Sequence, residues 1–306
     1  MSALHDFLVA PFADFAFMRH ALAGTLALAL GAAPVGVFLL LRRMSLMGDA
    51  MSHAILPGAA LGYLACGLSL GAMTAGGIVA GLLVVFFAGL VARASVLKED
   101  ASLAAFYLLS LAAGVTIVAA SGEELDLMHV LFGSVFTLKD DALLLIAGIS
   151  TLSLVGLALM FRPLALECFD PAFLRGVSRA SPAAYYGFMV LVVLNMVAGF
   201  HSLGTLMAVG IMILPAASAR LWTRSLTAML ALAVTLAFVC GLVGLLFSFH
   251  TGHAAAAAAA EHAEEIDPAG AAIVLVCGLA YFISLLAAPG GLLAQHWPAH
   301  RRHLSS

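Results

Sequence analysis

An all-α fold, a polytopic bundle of about nine transmembrane helices, is what this sequence predicts, and three observations carry the prediction. Hydrophobic residues make up 64% of the 306 residues and charged residues only 9%. An ordinary soluble domain carries about 45–50% apolar and about 25% charged residues. The mean hydropathy is +1.13, more apolar surface than a soluble fold hides. The apolar residues also fall in long runs between short polar links, and most runs approach the roughly 20 residues a helix needs to cross hydrocarbon.

The spans follow from these runs and from the charges that flank them. The first, 19–41, stops at Arg42-Arg43. The second, 52–68, is short and contains Pro57-Gly58. The third, 72–93, ends on Arg93, and the fourth, 102–120, lies between Lys98-Glu99-Asp100 and Glu123-Glu124. The fifth, 141–161, follows Asp140 and ends before Arg162. The sixth, 183–199, follows Arg175, Arg179 and Pro182. The seventh, 203–219, is again short, with Pro215 near its end and Arg220 after it. The eighth, 226–248, follows Arg224, and the ninth, 270–288, runs from Asp267-Pro268 to Pro289. Irregular backbone around Pro57 and Pro215 has to be buried in protein, because lipid cannot satisfy it. The reading is one transmembrane domain, 1–290, with a His/Ala/Glu-rich outer connection at 249–269 and a cytoplasmic tail at 291–306.

Charge sets the orientation. Lys and Arg concentrate in cytoplasmic loops. With the N-terminus outside and the C-terminus inside, eleven of the 13 basic residues fall inside and only Arg19 and Lys139 outside. The outer links are acidic, which attracts cations. No basic n-region precedes the first apolar run, so a cleaved signal peptide is not expected. Four scattered cysteines form no C-x-x-C pair, which removes a thiolate metal site of that type. The net charge of −3 gives no nucleic-acid footprint.

The composition also excludes several functions. The two lysines, Lys98 and Lys139, each follow a leucine, so no phosphate-cradling Gly-Lys-[Ser/Thr] loop exists here. His-Glu-x-x-His is absent as well. No nucleophile–base set appears, so a membrane enzyme is the weakest reading. Any energy source has to be another chain or an ion gradient.

Two segments carry chemistry. In Arg42-Arg-Met-Ser-Leu-Met-Gly-Asp-Ala-Met-Ser-His-Ala-Ile-Leu-Pro-Gly58, the spacing of Ser45, Asp49, Ser52 and His53 places them on one helical stripe. A carboxylate and an imidazole beside lipid are costly and usually functional. Both are divalent-metal ligands. Pro57 has no N–H to offer the carbonyl of His53, and Gly58 permits close packing or a bend. Two ligands are too few for a closed zinc site and suit an open, transient one. Capping by Asp49 and a packing hydrogen bond from His53 is the plainer alternative. The second segment runs from Phe200 to Arg224. After its apolar span, Pro215, Ala216, Ser218, Arg220, Trp222 and Arg224 suit either a short flat helix that docks a cytoplasmic partner or an interfacial anchor.

These two segments resemble the permease subunits of bacterial ABC importers for zinc and manganese. Met128-His-Val-Leu-Phe-Gly-Ser134 and Ala271-Ala-Ile-Val-Leu-Val276 are similar to further elements of that family, and the resemblance covers roughly residues 20–290 in order. It implies a homodimeric permease in the bacterial inner membrane, ABC ATPase subunits on the cytoplasmic face and an extracytoplasmic metal-binding protein. It also implies that Asp49 and His53 line the metal route, and that Leu214 to Leu226 contains the ATPase-coupling helix. No permanent cofactor is implied; the metal is cargo. Histidine content favours zinc over manganese, since imidazole suits zinc. A metal-chelate permease and a secondary metal carrier are the alternatives. A chelated metal needs no ligands from the channel, and a carrier of the second kind shows internal repeats, which this chain lacks.

The resemblance departs at one connection, which is longer than the family's pattern. His250, His253, Glu261, His262, Glu264, Glu265 and Asp267 flank a run of seven alanines. That set suits zinc collection on the outer face or is a solvated low-complexity insertion. Glu123, Asp126 and His129 form a second outer cluster, and His20 and His201 sit near outer span ends.

Overall fold

The computed structural model describes residues 9–67, 69–96, 99–121, 135–169, 180–258 and 269–291. Among them are eleven helices and no strand. In chain order they are α1 (Ala10–Asp14), α2 (Ala16–Leu41), α3 (Met47–Ala54), α4 (Leu56–Cys66), α5 (Leu70–Ala94), α6 (Glu99–Ser121), α7 (Asp140–Phe169), α8 (Ala180–Leu203), α9 (Thr205–Trp222), α10 (Leu226–Ala258) and α11 (Ala269–Ala287). Eight of these are long and apolar enough to cross a membrane. The second expected span is the exception: it is built in two pieces, α3 and α4, which meet at Ile55.

Contacts sort the helix ends into two groups. At one end His20 of α2 meets Asp140 of α7, and Phe15 packs on Phe249 of α10. At the other, Arg42 meets Glu99, and Trp222 of α9 meets Ser284 of α11. The chain therefore runs up and down between two faces, as alternating spans require. The helices α2 and α8 form the centre, each 72% buried along its apolar window, while α6 is only 11% buried and faces outward. A helix apolar on every side is what such an environment selects.

Small residues let the backbones close. A Cβ on Gly36 of α2 would sit 1.7 Å from the carbonyl oxygen of Met212 on α9. A Cβ on Gly58 of α4 would sit 2.0 Å from that of Gly76 on α5. Both helix pairs pack backbone to backbone, the small-residue contact typical of membrane bundles. Gly204, with φ 87°, makes the reversal from α8 into α9, a conformation side chains resist.

Two expectations are corrected. Pro215 does not end its helix; α9 continues through it to Trp222. Tertiary packing holds the turn around the proline, since Pro215, Ala216, Ser218 and Ala219 are all buried. The connection expected from 249 is also not all loop, because α10 continues to Ala258. Alanine is the strongest helix former, so the alanine run extends the helix.

Candidate functional site

The turn between α2 and α3 sets the site. Helix α2 ends with the Met44 N–H bonded to the Leu39 carbonyl and the Arg43 N–H to that of Leu40. This is the Schellman pattern of a helix C-terminus. Arg43 takes the left-handed position, φ 60°, where glycine is usual. The chain then enters α3, whose Met47, Ala50, Met51 and Ala54 are buried. Of the expected polar stripe, Asp49 and His53 lie on its more exposed side, Ser52 is buried, and Ser45 stands in the turn before the helix.

On that stripe His53 Nε2 lies 3.9 Å from Asp49 Oδ1, with the side chains 33% and 69% exposed. That separation exceeds a hydrogen bond, and two metal–ligand bonds of about 2.1 Å span it. Ser52 donates its hydroxyl to the Asp49 carbonyl at 2.7 Å. Ser45, Asp49, Ser52 and His53 line one groove of about 520 Å³. The facing wall comes from α9 and α11: Thr205, Val209, Gly210, Ile213 and Val274. Sequence reading missed this wall. Its signal is the Gly204-Thr205 start of the second segment, which carries part of the family resemblance but is given no place on the metal route there. Among the described residues no third His, Cys, Asp or Glu joins the pair to hold a metal. The groove is open, and among its lining it holds one carboxylate, one imidazole and three hydroxyl side chains.

The break at Pro57 has a defined partner. Ser110 of α6 donates to the Ala54 carbonyl at 2.9 Å, and Pro57 packs against Gly114. A hydroxyl thus satisfies one carbonyl at the break, where α3 passes into α4. Ser110→Ala should cost about 1 kcal/mol of stability, read as a lower unfolding temperature in detergent. An unchanged midpoint would mean that water serves that carbonyl equally well.

The remaining candidates divide. Pro215, Ala216 and Ser218 are buried in α9, whereas Arg220 and Arg224 are exposed and Trp222 is 46% exposed. The Trp222 indole donates to Ser284 Oγ at 3.0 Å, and the Gly290 N–H bonds the Leu221 carbonyl, so α9 and α11 are tied together at this face. His250 Nδ1 lies 2.8 Å from the Leu246 carbonyl. A carbonyl only accepts, so Nδ1 carries the proton. His201 and His253 lie within α8 and α10. Glu123, Asp126, His129, Glu261, His262, Glu264 and Glu265 lie outside the described residues.

Known proteins match this architecture along most of its length. The chain matches the ABC 3 transport family over residues 14–288. It is 33% identical to the manganese import system permease protein ScaB of Streptococcus parasanguinis, across 90% of this chain and 92% of that one. It is 29% identical to the manganese transport system membrane protein MntC of Halalkalibacterium halodurans, across 94% and 93%. The solved structure of PsaBC from Streptococcus pneumoniae in complex with Fab superposes with a TM-score of 0.77 at 30% identity, covering 94% of this chain and 97% of that chain. A solved structure described as an inward-facing conformation of a putative metal-chelate type ABC transporter shares the fold, with a TM-score of 0.65 at 16% identity, covering 87% and 84%. With its apolar helices and this match, the chain belongs to the ABC 3 transport family, as a multi-pass permease of the bacterial inner membrane.

Proposed function

We propose that this permease carries bare divalent transition-metal ions inward, in a complex driven by separate ABC ATPase chains and fed by an extracytoplasmic metal-binding protein. One observation carries the reading: Asp49 and His53 share a single groove with Ser45, Ser52 and Thr205. The groove offers oxygen donors and one imidazole, a set that suits manganese at least as well as zinc. The relatives ScaB and MntC are named for manganese. Mn²⁺ therefore replaces the zinc expected from histidine content as the leading cargo. Zn²⁺ is the competitor to test.

The groove lies open on one face of this chain. A second copy placed against that face would enclose the route and bring two Asp49–His53 pairs together, so the working unit is read as a homodimer. Alternating access then follows from rocking of the two halves around the pairs. Arg220, Trp222 and Arg224, the solvent-facing part of the α9 end, remain for ATPase contact. The histidines at 250, 253 and 262 are read as outer collectors of metal. Replacing all three with Gln should lower uptake severalfold at limiting metal and leave it unchanged at saturating metal. Equal uptake at limiting metal removes that role.

The test of the cargo is uptake by proteoliposomes holding the permease, its ATPase and its binding protein. Mn²⁺ should accumulate only with ATP, and excess Zn²⁺ should compete. Accumulation of a haem or siderophore complex with neither free ion moving would instead establish a chelate permease.

A further inference from the structure

On the outer surface of the bundle, α7 and α10 each pack on α2 but leave a groove of about 500 Å³ between them. The buried Pro34 and Phe38 of α2 floor it, with Leu154 and Phe161 of α7 on one side and Leu230 and Val234 of α10 on the other. Its one polar lining residue, Thr235, turns its hydroxyl back onto the Ala231 and Leu232 carbonyls, at 3.1 and 2.9 Å. The groove thus holds no free donor for a polar ligand, and burying one here would be costly. Hydrocarbon is what fits it. From Leu154 to Phe161 helix α7 rises about 10 Å, which falls within the roughly 15 Å of hydrocarbon in one leaflet.

Charge stands at one end of the groove. Helices α2 and α7 start together at the His20–Asp140 contact. Helix α10 runs the other way, with Phe249 near its end packed on Phe15. Phe161 and Leu230 therefore lie toward the opposite face, the one that charge marks as cytoplasmic. Arg162 directly follows Phe161 and is exposed. Arg224 is exposed too, just before α10, whose second turn supplies Leu230. Neither arginine pairs with a carboxylate among the described residues. The backbone marks the membrane surface at the same level. Pro163 has no N–H for the Leu159 carbonyl, and Leu159 is 79% exposed on the outside of the bundle. Hydrocarbon cannot satisfy that carbonyl, so α7 enters the headgroup layer at this turn and carries Arg162 with it.

We propose that this groove seats one acyl chain of an anionic phospholipid, whose phosphate is held by Arg162. A guanidinium matches a phosphate with paired donors. Arg224, a residue of the proposed ATPase contact, adds to the positive field that draws the headgroup. The chain packs on Phe38, Leu154 and Phe161 and fills the gap that α7 and α10 leave over α2. A zwitterionic headgroup brings a cation that the arginines repel, so the site selects by headgroup and not by chain. It shares no residue with the metal groove and does not depend on the identity of the cargo.

The test is native mass spectrometry of the permease–ATPase complex released from nanodiscs that hold equal amounts of dioleoyl phosphatidylglycerol and dioleoyl phosphatidylcholine. The unaltered complex should retain the phosphatidylglycerol about fivefold over the phosphatidylcholine, the preference that attraction to one arginine gives. Arg162→Gln should abolish the preference and keep the chain. Ala158→Trp, which fills the groove, should release the retained lipid of either kind. Ala113→Trp, in the apolar groove between α5 and α6, should leave retention and preference unchanged. Equal retention of the two lipids by the unaltered complex overturns the proposal. A preference that survives Arg162→Gln or Ala158→Trp also overturns it, by placing the anionic lipid elsewhere. So does an equal loss in all three variants, which would reflect the lipid-facing surface in general. A second copy of the chain seated in the groove would show as permease-to-permease crosslinks from Ala158→Cys, with Cys66 and Cys168 replaced by Ser, and those crosslinks would likewise overturn the lipid assignment.

Discussion

Asp49→Ala and His53→Ala should each lower ATP-dependent Mn²⁺ uptake by tenfold or more in the reconstituted complex. Assembly and thermal stability should stay close to those of the unaltered chain. The expectation follows from where the side chains are. Asp49 is 69% exposed and His53 33%, so neither holds the bundle together, and surface substitutions usually change stability by about 0.5 kcal/mol or less. Their 3.9 Å separation also leaves little direct bonding to lose. A cation in the groove, by contrast, loses one of two charged or basic donors. Each donor replaces a water that the ion gave up on entry, and an ion in a partly apolar groove cannot recover that loss from the walls. Asp49→Asn should retain part of the uptake lost in Asp49→Ala, because the amide oxygen still coordinates while the charge is gone. Uptake unchanged in both alanine variants would mean that the pair is capping and packing, as spacing alone allowed.

Gly36→Ala should damage the protein in the opposite way, through stability and not through the route. The added methyl would lie 1.7 Å from the Met212 carbonyl oxygen, and a backbone atom cannot swing aside. The α2–α9 pair would have to separate at the centre of the bundle, where α2 is 72% buried. Overpacking of this kind costs about 1–3 kcal/mol and sometimes more. The upper end is expected here, about 3 kcal/mol, because the neighbour is backbone. The variant should elute as a smaller folded fraction and unfold at lower temperature. Gly148, whose added methyl would touch nothing, serves as the control, and Gly148→Ala should behave normally. Equal stability of the two variants would show that α2 and α9 adjust freely.

Much of this was legible in the sequence because hydrocarbon is a strict solvent. Long apolar runs had to be helices, and the charges at their ends set their alternation. Asp49, Ser52 and His53 were legible as a set because a helix brings positions three and four apart together, and Ser45 joins them from the turn before the helix. The far wall of the groove was not legible. Thr205, Val209 and Val274 meet α3 only through the packing of three helices, and nothing local in an apolar run marks which face will turn inward. Pro215 misled for a related reason: proline weakens a helix locally, but burial of Ala216, Ser218 and Ala219 outweighs the lost bond.

The most direct measurement is pulsed EPR of Mn²⁺ held in the permease–ATPase complex, recorded for nitrogen coupling. A metal seated between Asp49 and His53 predicts an imidazole ¹⁴N modulation that disappears in His53→Gln and persists in His250→Gln. A transport-competent complex whose bound Mn²⁺ shows no nitrogen coupling, or keeps it in His53→Gln, would contradict the assignment of this groove as the metal route.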